Sequence, residues 1–133
     1  MTRVDQAADI LNSYLHVQDG GKTAQIAVTE QFWGELLSGG RPELDQGRLL
    51  SAFSFAQDWP SWERHPAGEE LVMLLSGSAL LLLEDANGER ELLLDRVGSY
   101  VLVPQGVWHT ARTTQPTTLL FLTPGAGTEH RPV

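Results

Sequence analysis

Apolar residues in this chain fall mostly in short blocks cut by glycine, proline and asparagine, not in long helical stripes. The first segment differs. Val4, Ala7, Ala8, Leu11 and Leu15 recur at three- and four-residue spacing over residues 3–16, with Tyr14 at the edge of that face. The spacing predicts an amphipathic helix, ended by Asp19-Gly20-Gly21. Residues 22–28 read as a short strand. Thr29 then caps a second short helix that carries Phe32, Trp33, Leu36 and Leu37 and stops at Gly39-Gly40.

From Arg48 onward the pattern turns to strands. Blocks at 49–56, 71–75, 79–83, 91–94, 100–103, 108–113 and 118–123 are separated by turn-forming residues. Ser76-Gly77-Ser78 reads as a hairpin, and Asn87-Gly88 favours a type I′ turn. Short strands at this spacing predict an all-β antiparallel sandwich or barrel, with the N-terminal helices packed on its outside. Leu80-Leu81-Leu82-Leu83 and Leu92-Leu93-Leu94 do not alternate, so both of their faces need cover. The helices or a second copy of the chain would supply it, and a homodimer is the expectation.

Composition narrows the partners. The 133 residues make one domain, with 17 acidic side chains against 9 basic ones and a net charge of −8. That field disfavours nucleic acid and anionic membrane, and no basic cluster reverses it locally. The absence of cysteine excludes disulfides, thiolate zinc sites and cysteine nucleophiles. No apolar run reaches the ~18 residues of a spanning helix, and the N-terminus lacks the pattern of a signal peptide. A soluble, cytoplasmic protein is expected.

Candidate chemistry gathers around residues 62–77. Glu63 and His65 are two apart and share a face of an extended strand, while Arg64 points the other way. After Pro66-Ala67-Gly68, Glu70, Val72 and Leu74 share one side. Further on, His109, Ala111 and Thr113 share another. If these faces look into one interior, Glu63, His65, Glu70 and His109 converge. Two carboxylates ~4 Å apart at an effective dielectric of ~20 repel by about 4 kcal/mol. Either a cation lies between them, one is protonated, or an arginine reaches in. Arg64 and Arg112 point outward by alternation. Glu69 and His16 read as surface groups, and so does the loop histidine His130, with approach to the site as its lesser alternative. Trp62 and Trp108 read equally as pocket rim, core or dimer contact, and Phe53 and Phe55 as barrel filler.

These residues resemble the two motifs of the cupin superfamily, small jelly-roll β-barrels. The first motif, G-x5-H-x-H-x(3,4)-E-x6-G, is matched at His65, Glu70 and Gly77; Gln57 stands at its leading glycine and Glu63 at its first histidine. The second, G-x5-P-x-G-x2-H-x3-N, is matched at Gly98, Pro104, Gly106 and His109, with Thr113 at the closing asparagine. The 20 residues between Gly77 and Gly98 fit the usual separation. The resemblance implies a cupin-type jelly-roll barrel over residues 47–124, with 1–46 as a helical cover or dimer segment of the same domain and 125–133 as a tail. It also implies one divalent metal held by His65, Glu70 and His109, with Glu63 in the place of the missing histidine. Two imidazoles and two carboxylates suit Fe, Mn, Ni, Co or Zn; alternatively, Glu63 marks a barrel that has lost its metal.

Two functions follow from the resemblance. One is a metal-dependent enzyme acting on a small oxygen-rich molecule, of dioxygenase or isomerase/lyase type, with Glu63 or Glu70 as proton acceptor. The other is a non-catalytic small-molecule-binding or sensing module. The fold does not select a reaction, and there is no nucleophile elbow or phosphate-binding loop.

Overall fold

The computed structural model describes residues 6–133, and these build two antiparallel sheets packed face to face. The first half supplies β1 (Ser13–Val17), β2 (Thr23–Ala27), α1 (Phe32–Leu37), β3 (Arg48–Phe55), β4 (Ser61–Arg64) and β5 (Glu70–Ser76). The second supplies β6 (Ala79–Asp85), β7 (Gly88–Leu94), β8 (Tyr100–Val103), β9 (Trp108–Arg112), β10 (Thr117–Pro124) and β11 (Glu129–Pro132). One sheet has six strands in the order β2-β1-β3-β10-β5-β8; the other has five in the order β11-β4-β9-β6-β7. The ladders do not close on each other, so the expected barrel is two facing sheets with open edges.

Alternation sets the core. On β5, Glu70, Val72 and Leu74 are buried, and on β10 so are Thr117, Leu119 and Phe121. Their apolar members meet Ala79, Leu81 and Leu83 of β6 and Ala111 of β9 between the sheets. Fully burying each large aliphatic or aromatic side chain is worth roughly 1.5–3 kcal/mol, so this interface holds the sheets together. A second, smaller core of Tyr14, Ile26, Phe32, Leu44 and Leu49 seats α1.

The N-terminal helix expected over residues 3–16 is not formed. Residues 13–17 are a strand, residues 6–12 are not helical, and Val4 lies outside the described residues. Tyr14 and His16 are buried alternately, and the Tyr14 hydroxyl donates to the Ala52 carbonyl across 2.9 Å. A period of two and a sheet edge to pair with override the helical spacing. His16, expected at the surface, is buried with Nε2 2.7 Å from the Gln46 carbonyl, to which it donates. The single α-helix among the described residues, α1, receives no side-chain cap; the Thr29 carbonyl, not its hydroxyl, accepts the Phe32 N–H at 3.1 Å. Ser76-Gly77-Ser78 is not a hairpin either. It carries the chain from β5 in one sheet to β6 in the other. Between β6 and β7 neither Ala86 nor Asn87 has positive φ, so the turn is not type I′; only Gly88, at φ 108°, is left-handed. Among the described residues no helix is long and apolar enough to cross a membrane.

The leucine blocks are largely covered within one chain. Leu81, Leu82 and Leu83 are buried, whereas Leu93 is 60% exposed. A second copy is therefore not required to cover the 80–83 run.

Candidate metal centre

Three strands and one turn bring the four expected side chains together. Glu63 faces inward from β4 and pairs in register with His109 of β9, while Glu70 opens β5. His65 follows β4 directly, and the Pro104-Gln105-Gly106 turn clamps that segment. Gly106 N–H donates to the His65 carbonyl at 3.0 Å, and the Gln105 side chain donates to the Pro66 carbonyl at 2.6 Å. Gly106 has φ 73°, which a residue with a Cβ rarely adopts, so the motif glycine is needed for this clamp.

One donor atom from each of Glu63, His65, Glu70 and His109 lies within 4.8 Å of all the others. His109 Nε2 is 2.9 Å from Glu70 Oε1 and 3.3 Å from Glu63 Oε1. His65 Nε2 is 3.2 Å from Glu70 Oε2 and 3.5 Å from Glu63 Oε1. His65, Glu70 and His109 are buried; Glu63 retains 23% exposure toward the cavity.

These are short distances without the angles of hydrogen bonds. His65 Nε2, His109 Nε2 and Glu70 Oε1 are buried and have no hydrogen-bond partner, a state that ordinarily costs stability. The outer atoms are, by contrast, satisfied. His109 Nδ1 is 3.1 Å from the Val107 carbonyl, which only accepts, so in the neutral ring Nδ1 carries the proton and Nε2 is a free lone pair. His65 Nδ1 meets the Thr128 hydroxyl at 2.8 Å, and the Thr123 hydroxyl donates to Glu70 Oε2 at 2.6 Å. Anchored outer atoms and unpartnered inner ones are the arrangement of metal-ligating histidines and carboxylates. The donor set could therefore hold a divalent ion.

With side chains alone, the charges balance by proton uptake. Burial disfavours the charged imidazoles, but Glu63 and Glu70 overcome it and hold His65 up at about 9 and His109 at about 10. Burial likewise works to raise the two carboxyls; contacts with His109 and His65, and for Glu63 also His130, bring Glu63 well below the usual range and Glu70 below it. No arginine among the described residues takes part. Arg64 is bidentate to Glu129, at 3.0 and 3.1 Å, and lies over the Trp108 ring on the outer face.

The sequence reading missed two neighbours, Thr128 and His130. His130 pairs in register with Glu63 across β11–β4, and its Nε2 is 3.4 Å from Glu63 Oε2. Glu63 thus turns one oxygen to the buried histidines and the other to His130. Thr128 and His130 are two apart on an extended segment and share a face, the same signal that linked Glu63 to His65. Trp62 and Trp108 face outward, where Arg131 lies 5.1 and 4.6 Å from their ring centroids. They do not line the cavity. Thr113 sits at the far end of β9, bonded to the Ser78 carbonyl at 2.7 Å, so the closing motif position is structural here.

Beside the cluster lies a cavity of about 730 Å³, lined by Glu63, His65 and Glu70 together with Trp33, Phe53 and Trp59.

No protein-family model matches the chain, and no curated protein matches it. Solved structures do. A structure of DMSP lyases is 27% identical over 66% of this chain and 45% of its own, with a TM-score of 0.51. A structure of oxalate oxidase is 18% identical over 61% of this chain and 44% of its own, also with a TM-score of 0.51. A cupin-2 domain protein from Shewanella frigidimarina is 16% identical over 58% of this chain and 70% of its own, with a TM-score of 0.49. The similarity thus spans less than half the length of the two enzyme chains. With both sequence motifs lying on two facing antiparallel sheets, and with enzymes of cupin fold as structural neighbours, the chain carries the cupin fold.

Proposed function

We propose that this chain binds one divalent transition metal (Fe, Mn, Ni, Co or Zn) through Glu63, His65, Glu70 and His109, and acts on a small oxygen-rich molecule held in the cavity. The observation that carries this reading is the trio of buried, unpartnered inner atoms, each on a side chain whose outer atom is anchored or whose second oxygen is bonded. A bound ion would supply Lewis acidity to a ligand oxygen. The chain's own residues would do the rest. Glu70, fully enclosed and held by Thr123, keeps a fixed geometry. Glu63, open to the cavity and backed by His130, is the group placed to accept a proton from a bound ligand. The reaction is of dioxygenase or isomerase/lyase type. That the neighbours include a DMSP lyase and an oxalate oxidase is consistent with catalysis at such a site.

Metal analysis of protein without added histidines tests the proposal. About one equivalent of ion is expected, lost in both His65→Ala and His109→Ala. Metal-free protein whose melting does not respond to divalent ions would refute it. One observation favours a second reading, a metal-free binding or sensing module. Two protonated imidazoles and two carboxylates are already electroneutral, and Glu63 stands where the motif has histidine.

We further propose that residues 47–124 carry the four metal-binding side chains as the cupin unit, while 1–46 and 125–133, parts of the same domain, complete the cavity with Trp33, Thr128 and His130. The protein is also proposed to be a homodimer, with exposed Tyr100 and Leu102 on edge strand β8 as the apolar contact.

A further inference from the structure

We infer that the cavity takes an uncharged, ring-bearing molecule with its hydroxyl or carbonyl oxygens at one end, and not a small polycarboxylate, a phosphate ester or an organic cation. The inference deepens the function proposed above and rests on it for which end of the ligand meets the four-residue cluster.

The lining changes chemistry along the strands. Polar groups are concentrated beside the cluster, where Thr123, Thr128 and His130 join Glu63, His65 and Glu70. Phe121 lies two positions from Thr123 on the same face of β10, Phe53 and Trp59 pack on it, Trp33 packs on Phe53, and Leu36 lines the cavity with them. Among the described residues no lysine or arginine lines the cavity, whereas Asp45, Glu63 and Glu70 do. A divalent ion would balance Glu63 and Glu70 and accept one anionic group. A second carboxylate or a phosphate would find no cation to pair with, and burying it bare is unfavourable.

The aromatic wall argues equally against a cation. Phe53 and Phe121 stack on each other at 4.8 Å with 17° between planes, and Trp59 leans on both at 6.0 and 5.8 Å. Trp33 meets Phe53 edge-on at 5.8 Å. The ring faces are largely spent on one another, so they form a continuous apolar surface and not an open box of faces around a charge. An organic cation would, moreover, share the cavity with a divalent ion. At the rim, α1 leaves Trp33 37% and Leu37 70% exposed. About 730 Å³ is ample for a ligand of two fused rings, which would cover these side chains.

Calorimetric titration of zinc-loaded and of metal-free protein with catechol, 2,3-dihydroxynaphthalene, malonate and choline tests the inference. The two-ring diol is expected to bind about tenfold or more tightly than catechol in both forms, from the extra apolar area removed from water. Malonate and choline are expected to bind more weakly than either diol. Trp33→Ser should remove most of the two-ring advantage without changing zinc content. Leu37→Ser, at a more exposed position and so safer for folding, should remove part of it. Equal affinity for the one- and two-ring diols, an advantage that survives in both variants, or malonate or choline as the tightest ligand would overturn the inference. A protein that takes up no zinc yet prefers two rings would sink the metal reading alone. One that takes up an equivalent of zinc and shows no ring preference would do the reverse.

Discussion

At the scale of single residues, the four donors are bound together by charge, and that makes the site sensitive to pH in two opposite ways. In metal-free protein His65 and His109 are raised to about 9 and about 10 from an ordinary 6.5. Their contribution to stability is complete below about pH 6.5 and is lost as pH rises through those folded values. Glu63 and Glu70 are lowered, so theirs is present above about pH 4.5 and lost as pH falls. The metal-free protein is therefore expected to melt at lower temperature at about pH 9.5 than at about pH 6.5. Metal must displace those same protons, so its affinity should rise over that interval, and excess zinc should raise the melting temperature more at the higher pH. Melting curves at the two pH values, with chelator or with zinc, check both signs. The Thr128 hydroxyl is expected to orient His65. Thr128→Val should weaken zinc binding by ~10-fold or more, read by competition with a chromophoric chelator, with little change in melting of the metal-free protein.

That Glu63, His65, Glu70 and His109 converge was legible before any coordinates, because strand alternation and the motif spacing agree on which side chains share a face. His130 was not. Its segment follows Gly125-Ala126-Gly127 and lies outside both motifs, so the two-residue spacing of Thr128 and His130 pointed nowhere until β4 gave the strand a partner.

At the scale of elements, β11 is pinned from the side away from the cavity. The Arg131 guanidinium lies over Trp62 and Trp108 and donates to Glu84 at 2.7 Å, while Glu129 holds Arg64. Arg131→Ala should increase amide exchange along residues 129–132 and weaken zinc binding through the loosened Thr128 and His130. Unchanged exchange with intact binding would contradict that link. Gly77, the motif glycine between β5 and β6, has φ 82°, and a Cβ there would lie 2.4 Å from the Pro116 carbonyl. Gly77→Ala is expected to cost about 2 kcal/mol or more, measured by urea unfolding. The central strands were readable from alternation. The first strand was not, because Ala7, Ala8, Leu11, Tyr14 and Leu15 satisfy a helical period as well as they do a strand; what decides is the β3 edge beside them, which a local pattern does not contain.

At the scale of the molecule, two sheets meet over one apolar interior and widen at one end into the cavity. The continuous leucine blocks suggested a missing cover, and the fold supplies most of it by itself, with Leu82 buried on the face opposite the core. What stays exposed is Leu93, Tyr100 and Leu102 on the edge strands β7 and β8. The dimer proposed on that surface should appear as twice the 14.6 kDa chain mass in light scattering, and Leu102→Lys should return the monomer. A monomeric parent protein at micromolar concentration would refute it. The arrangement of the sheets was foreseen in class but not in closure, since strand spacing sets the number of strands and not how their edges end.

The Val133 amide lies 3.4 Å from the Pro60 carbonyl, and His130 stands three positions earlier against Glu63. Any residues fused after position 133 would therefore emerge beside Pro60, which lines the cavity. A purification tag of histidines placed there would compete for the very ion being assayed, so an apparent stoichiometry above one in such a fusion would describe the tag and not the protein.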